Sequence, residues 1–85
     1  MTNTDFPRLD VSATGKNILL LLKTRNVSIK ELQSWLGFAD VRAIYAWAEG
    51  HALPAVDNLY AMSVFLDVPI DQILVGSAHH NTTDR

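Results

Sequence analysis

The sequence predicts a small all-α domain. Apolar residues recur at intervals of three and four, and no convincing alternating segment predicts a strand. A helix-capping motif stands about one third of the way along the chain, and short breaks, most of them at glycine or proline, separate five short segments of helical pattern. The 85 residues are 48% hydrophobic, which is enough for one small core.

The first helix is expected over about residues 13–25, with either Ser12 or Thr14 as its N-terminal cap. Its core positions at helical spacing are Ile18, Leu21 and Leu22. The second helix should begin after Ser28, because Glu31 stands three residues further on and completes a capping box. It should end at Gly37, a residue suited to a left-handed C-terminal turn.

The third helix is expected to begin at Asp40, whose carboxylate can accept from the amides of Arg42 or Ala43, and to end near Glu49. A fourth helix should cover residues 56–66 and present one stripe, formed by Val56, Leu59, Met62, Ser63 and Leu66. A short fifth helix over residues 70–75 should follow, with Pro69 near its first turn. The spacing of Trp35 and Trp47 predicts that both pack in the core.

The composition and the motifs of the sequence exclude several classes of function. The chain has no cysteine and therefore no disulfide or thiolate metal site, and no apolar run approaches the roughly 18 residues of a membrane span. The N-terminus lacks a signal-peptide pattern, so a cytoplasmic location is expected. His79 and His80 lie in a polar tail and are expected to be solvated rather than metal-bound. No nucleophile–base pair, phosphate loop or carboxylate dyad indicates an enzyme, and no cofactor or metal is expected.

The joint order of these residues resembles the lambda-repressor-like helix-turn-helix domains, the Xre family. The matching pattern is Gly15-x-x-Ile18-x-x-Leu21, Ser28-x-x-Glu31-Leu32, Leu36-Gly37, Ile44-x-x-Trp47, Gly50-x-x-x-Pro54, Leu59 and Val68-x-x-Asp71-x-x-Leu74. The stretch AIYAWAEGHALPAVDNLYAMS looks like a branch common in Firmicutes bacteria and their mobile elements. The resemblance implies a compact five-helix domain over residues 13–75, between a flexible arm at 1–12 and a polar tail at 76–85.

The resemblance also implies a function. Helices 2 and 3 would form the helix-turn-helix, helix 3 would enter the major groove of double-stranded DNA, and the protein would be a sequence-specific repressor that binds a short operator as a dimer. With Ile44 and Trp47 facing the core, the outward positions expected to contact bases are Val41, Arg42, Tyr45 and Ala46. Arg42 is the strongest candidate, since its guanidinium can grip a guanine edge with two hydrogen bonds. The alternative is that Arg42 is an ordinary solvated side chain.

Phosphate contacts are expected at the start of helix 2 and in the loop after helix 3, from Ser28, Ile29, Lys30 and His51. Here the chain departs from the family, whose members usually carry glutamine at the position of Ile29 and a polar or basic residue at that of Ala46. His51 is the only chargeable group in a loop that is often basic in relatives.

Two leucines on helix 1 have no obvious place in the core. Leu19 and Leu20, together with their apolar neighbours, leave this helix apolar on nearly every side. One interpretation is a dimer surface. The other is that the N-terminal arm covers them through Phe6 and Leu9.

The net charge of −2 motivates a second hypothesis about function. Residues 11–50 carry five basic and three acidic side chains, whereas residues 51–75 carry no basic and three acidic ones. Helices 4 and 5 would therefore suit a protein partner. The alternative to a DNA-binding repressor is a protein-interaction or antitoxin-like module with the same fold and weak or no DNA binding.

Overall fold

The computed structural model describes residues 6–77, and the predicted arm and tail extend beyond this range at residues 1–5 and 78–85. Within it are four α-helices and one turn of 3₁₀ helix: α1 Val11–Thr24, α2 Ile29–Leu36, α3 Arg42–Ala48, α4 Val56–Leu66 and the 3₁₀ turn Ile70–Gln72. The predicted all-α class is confirmed. The predicted number of helices is wrong, because the chain leaves helical geometry after this single turn.

The first helix begins two residues earlier than expected. Its N-terminal cap is Asp10, whose Oδ1 accepts from the Ala13 amide at 2.9 Å, so neither Ser12 nor Thr14 performs this role. Thr14 is 1% exposed, and its Oγ1 accepts from the amide of Val75 at 3.0 Å. This hydroxyl therefore pairs with Val75, near the C-terminal end of the described residues.

The two ends of the described chain are joined by backbone hydrogen bonds. The Asp10 amide donates to Val75 at 2.8 Å, and the Ser77 amide donates to Arg8 at 2.8 Å, on either side of an antiparallel bridge between Leu9 and Gly76. We call this arrangement the terminal clasp. Because Val75 pairs across the clasp, it cannot continue a helix, which explains the missing fifth helix.

Local signals at α2 and α3 are largely confirmed. The Ser28 Oγ accepts from the Glu31 amide at 3.0 Å while Glu31 Oε1 accepts from the Ser28 amide at 2.8 Å, so the capping box is complete. Gly37 ends α2 with a left-handed φ of +74°. Asp40 accepts from the Arg42 amide at 2.9 Å as expected, although α3 begins only at Arg42.

The core lies where α1 packs against α3 and α2 packs against α4. Its ten buried apolar side chains are Ile18, Leu22, Leu32, Ile44, Trp47, Leu59, Met62, Leu66, Val68 and Ile73. The prediction for Trp47 is confirmed. The prediction for Trp35 is wrong, since its side chain is 48% exposed. Val56 begins the predicted stripe of α4 and is 80% exposed, so the buried part of that stripe starts at Leu59.

The crossing of α1 and α3 depends on Gly15. A Cβ placed on this residue would overlap the carbonyl oxygen of Trp47 and would lie 3.0 Å from the carbonyl oxygen of Ala48. The backbones of the two helices therefore approach as closely as they do only because Gly15 has no side chain. This contact fixes the orientation of α3 on the domain.

Candidate nucleic-acid interface

A short corner joins α2 and α3. Residues 37–41 connect the eight residues of α2 to the seven of α3, and the left-handed backbone of Gly37 starts the change of direction. The buried residues of α3 are Ile44 and Trp47, as the sequence predicts. Because these two side chains hold one face of α3 against the core, its opposite face is left for a ligand.

The exposed end of α3 presents an arginine held by a neighbouring carboxylate. The Arg42 side chain is 89% exposed, yet its Nε and Nη2 donate to Asp40 Oδ2 at 3.1 and 2.7 Å. These hydrogen bonds lower the pKa of the Asp40 carboxyl below its ordinary value and raise the pKa of the Arg42 guanidinium. Sequence reasoning identified Asp40 as a backbone cap but missed this side-chain pair.

The paired geometry leaves one edge of the guanidinium outside the ion pair. Arginine has five N–H donors, and Asp40 takes those on the Nε side. The end of the fork, formed by Nη1 and the second hydrogen of Nη2, is directed away from Asp40. Two parallel donors at this spacing match the O6 and N7 acceptors of guanine.

The other three candidate base contacts lie beside Arg42. Tyr45 is exposed, whereas Val41 and Ala46 are half-buried. At the far end of the helix, Glu49 lies 3.5 Å from the Nε2 of His51, and both side chains are exposed. A carboxylate at this place repels phosphate, so it opposes the contact expected from His51.

The start of α2 offers fewer donors than the sequence alone suggests. The amide of Ser28 is occupied by Glu31, and the hydroxyl of Ser28 accepts from the Glu31 amide, which leaves the hydroxyl hydrogen to donate. Ile29 packs against the core and has only its backbone amide to offer. Lys30 is exposed. The Glu31 carboxylate adds a negative charge at the helix end that would face a phosphate.

Leu19 and Leu20 lie on the surface of α1. Leu20 is 58% exposed, and Phe6 and Leu9, which were the alternative cover for it, are themselves exposed. The guanidinium of Arg8 lies over the Phe6 ring at 5.1 Å instead. Within residues 6–77 the arm therefore leaves Leu20 open to solvent.

A second feature, missed from the sequence, lies between α2 and α4. The Trp35 ring stacks on Phe65 with centroids 4.9 Å apart and planes 15° apart, and Trp35 Nε1 donates to the Ala61 carbonyl at 2.9 Å. Helical spacing correctly indicated that Trp35 faces the neighbouring helix. The spacing did not indicate that α4 covers only about half of the Trp35 indole.

Two further properties concern the described residues only. They contain no cluster of three or more histidine, cysteine, aspartate or glutamate side chains suited to a metal ion, and His79 and His80 lie outside the described range. None of the helices in residues 6–77 combines the length and hydropathy needed to cross a bilayer.

Comparisons with known proteins support the fold. The structure resembles the restriction-modification controller protein C.AhdI from Aeromonas hydrophila with a TM-score of 0.67 and 17% sequence identity. The match covers 75% of this chain and 96% of that one. No family model matches the chain, and a search of curated proteins gives no match. At this identity the likeness shows the fold alone, and the Firmicutes branch stays a prediction.

Proposed function

We propose that this protein is a sequence-specific DNA-binding transcription regulator whose α3 enters the major groove. The observation that carries the proposal is Arg42, the first residue of α3, with an exposed guanidinium oriented by Asp40. The fold likeness to a controller protein supports the same function. In this proposal the protein acts in the bacterial cytoplasm as the repressor of a short operator and belongs to a mobile element.

Recognition would combine one polar contact with several apolar ones. Arg42 would read a guanine through the end of its guanidinium, while Asp40 holds the other edge. Val41 and Ala46 would contact thymine methyl groups, and Tyr45 would contact a methyl group or donate to a phosphate. Because an ion pair already orients Arg42, less side-chain freedom is lost on binding.

Phosphates would fix the register. The Ser28 hydroxyl, the amide of Ile29 and the ammonium group of Lys30 would hold one phosphate near the start of α2. His51 would contribute only when protonated, and Glu49 competes for it. This small number of contacts predicts a shallow salt dependence, with a log–log slope near −0.9 for each phosphate neutralised.

The overall acidity is compatible with this arrangement because the charges are separated along the chain. The basic excess belongs to residues 11–50, which include both helices of the proposed DNA-binding face, and residues 51–75 carry only acidic charges. A dimer formed through Leu19 and Leu20 would double the phosphate contacts and bind two half-sites.

A selection from a random DNA library, followed by binding measurements, tests the proposal. The wild-type protein should enrich a motif that contains guanine. Arg42→Ala removes the guanidinium, so it should lose roughly 1–3 kcal/mol of discrimination at that guanine while the domain stays folded. Lys30→Ala should weaken binding to all sequences equally and reduce the salt slope by about 1.

The same experiment can refute the proposal. Folded wild-type protein that enriches no motif at low salt would exclude sequence-specific binding. An enriched motif that Arg42→Ala reads as well as the wild type would keep DNA binding but remove Arg42 as the reader. Light scattering of Leu20→Lys tests the dimer, since an unchanged mass would show that this leucine is not in the interface.

A further inference from the structure

The groove between α2 and α4 is the strongest feature that the proposed DNA-binding function does not use. It is an open groove of about 440 Å³, lined by Glu31, Ser34, Trp35 and Phe65. Two of these residues are aromatic, and Glu31 is a carboxylic acid. We propose that this aromatic groove binds an arginine side chain in a basic, apolar segment of a partner protein.

The aromatic wall is rigid before any partner arrives. Trp35 is fixed by its stack on Phe65 and by the hydrogen bond from Nε1 to the Ala61 carbonyl. Its polar atom is therefore already satisfied, and the exposed half of the indole is apolar surface. A preordered tryptophan loses little conformational freedom on binding, which is why tryptophan is enriched among residues that dominate interface affinity.

α4 also carries two exposed apolar side chains outside the groove lining. Val64 and Tyr60 are both exposed, and they lie four residues apart, on one face of the helix. Val64 is the neighbour of the groove residue Phe65 and lies three residues after Ala61, which receives the indole hydrogen bond. An occupant therefore meets an aromatic groove and an adjacent apolar row, which together match a segment with both charged and apolar side chains.

The negative charge around the groove favours a cationic side chain as the bound group. Glu31 stands at i−4 from Trp35 on α2, where Cβ atoms are about 5–6 Å apart, so one cation can reach both the carboxylate and the ring. The capping box uses Glu31 Oε1 and leaves Oε2 for this cation. Residues 51–75 contain no lysine or arginine and add Asp57 in the first turn of α4. This acidity disfavours nucleic acid at this surface.

Arginine suits the groove better than lysine. Its guanidinium is planar, stacks on an indole face and pairs with a carboxylate through two donors. In the groove it would lie on the exposed half of Trp35 and donate to Glu31, while neighbouring apolar side chains of the same segment cover Val64 and Tyr60. The proposed DNA contacts do not carry this inference, although Glu31 lies beside those at the start of α2.

A peptide-library selection on the full-length protein, without DNA, tests the proposal. The library should yield peptides with arginine next to apolar residues. The affinity of the best peptide should fall at least tenfold in Glu31→Gln, a change that retains a residue accepted by the capping box. It should fall similarly in Trp35→Leu and stay within twofold in Glu49→Gln, which removes an exposed carboxylate on α3. Replacing the peptide arginine with lysine should also weaken binding.

Several results would overturn the proposal. They are the absence of enriched peptides, the enrichment of uncharged or acidic peptides, and an equal loss of affinity in Glu31→Gln and Glu49→Gln. A doubled molecular mass that Trp35→Leu abolishes would show instead that the groove joins two copies of this chain. Circular dichroism checks that each variant is folded. If Trp35→Leu does not fold, the affinity of Glu31→Gln for the peptide alone decides whether the groove binds arginine.

Discussion

Replacement of Gly15 by alanine should destabilise the domain, although alanine is the better helix former. The added Cβ would overlap the Trp47 carbonyl oxygen, and it would approach that of Ala48 at 3.0 Å. Both obstacles are backbone atoms, which cannot move aside as the end of a flexible side chain can. The new methyl group must therefore push α1 and α3 apart.

The size of the effect follows from two opposing contributions. Overpacking of this kind costs roughly 1–3 kcal/mol, and the upper end applies because the overlap is with backbone. Separation of the helices also loosens the contacts of Ile18, Leu22, Ile44 and Trp47, all buried at this crossing. Alanine recovers about 1 kcal/mol of helix propensity. The net loss is about 2 kcal/mol, or a fall in Tm of roughly 8–16 °C for a domain of this size.

Thermal and urea unfolding followed by circular dichroism measure this change. Lys16→Ala is the matched control, because it introduces alanine at the next, exposed position of α1 and should change stability by less than about 0.5 kcal/mol. If Gly15→Ala proved as stable as the wild type or more so, helix propensity would dominate and the close crossing of α1 and α3 would be refuted.

Three further substitutions test other contacts. Ser28→Ala should cost about 1 kcal/mol in urea unfolding because it removes the acceptor for the Glu31 amide, and a loss no larger than that of Ser34→Ala would contradict this. Asp67→Gly should stabilise the domain by up to about 1 kcal/mol, since Asp67 holds a left-handed φ of +56° at the C-terminal end of α4; a lower Tm would contradict it. By NMR titration, the pKa of Asp40 should lie below 3.8 and rise toward that value in Arg42→Gln. Because the folded pKa is lowered, the pair stabilises the protein above the ordinary pKa and this contribution is lost as pH falls through the lowered value; identical titrations in both proteins would refute the pairing.

The parts of the fold that were predictable are those with local causes. The capping box at Ser28 and the left-handed turn at Gly37 involve neighbours within a few residues, so they are written in the sequence itself. The burial of Ile44 and Trp47 follows from helical spacing. These signals were sufficient for four helices and for the corner between α2 and α3.

The errors have long-range causes. Thr14 was a cap candidate by type, but its hydroxyl pairs with Val75, which is 61 positions away. The same pairing withdraws Val75 from the expected fifth helix. Trp35 has core spacing, yet spacing reveals which side of a helix meets a neighbour and not how far that neighbour extends.

The sequence predicted where the candidate DNA-contacting residues lie better than it predicted which charged groups surround them. The sequence indicated which residues of α3 point outward, and Arg42 is exposed as expected. The carboxylates that accompany the candidate contacts were missed, namely Asp40 on Arg42 and Glu49 on His51. An ion pair depends on rotamers as well as on spacing, and the pattern of residue types does not determine rotamers.

The terminal clasp has a consequence for the length of chain that the folded domain needs. Thr14 is buried near the start of the chain, and the backbone group that pairs with its hydroxyl belongs to one of the last described residues. A chain that ended before Val75 would lose this hydrogen bond and the backbone bond from Asp10, each worth roughly 0.5–1.5 kcal/mol. The domain therefore depends on residues well beyond its last α-helix, and a truncation before Val75 should make it more open to proteolysis.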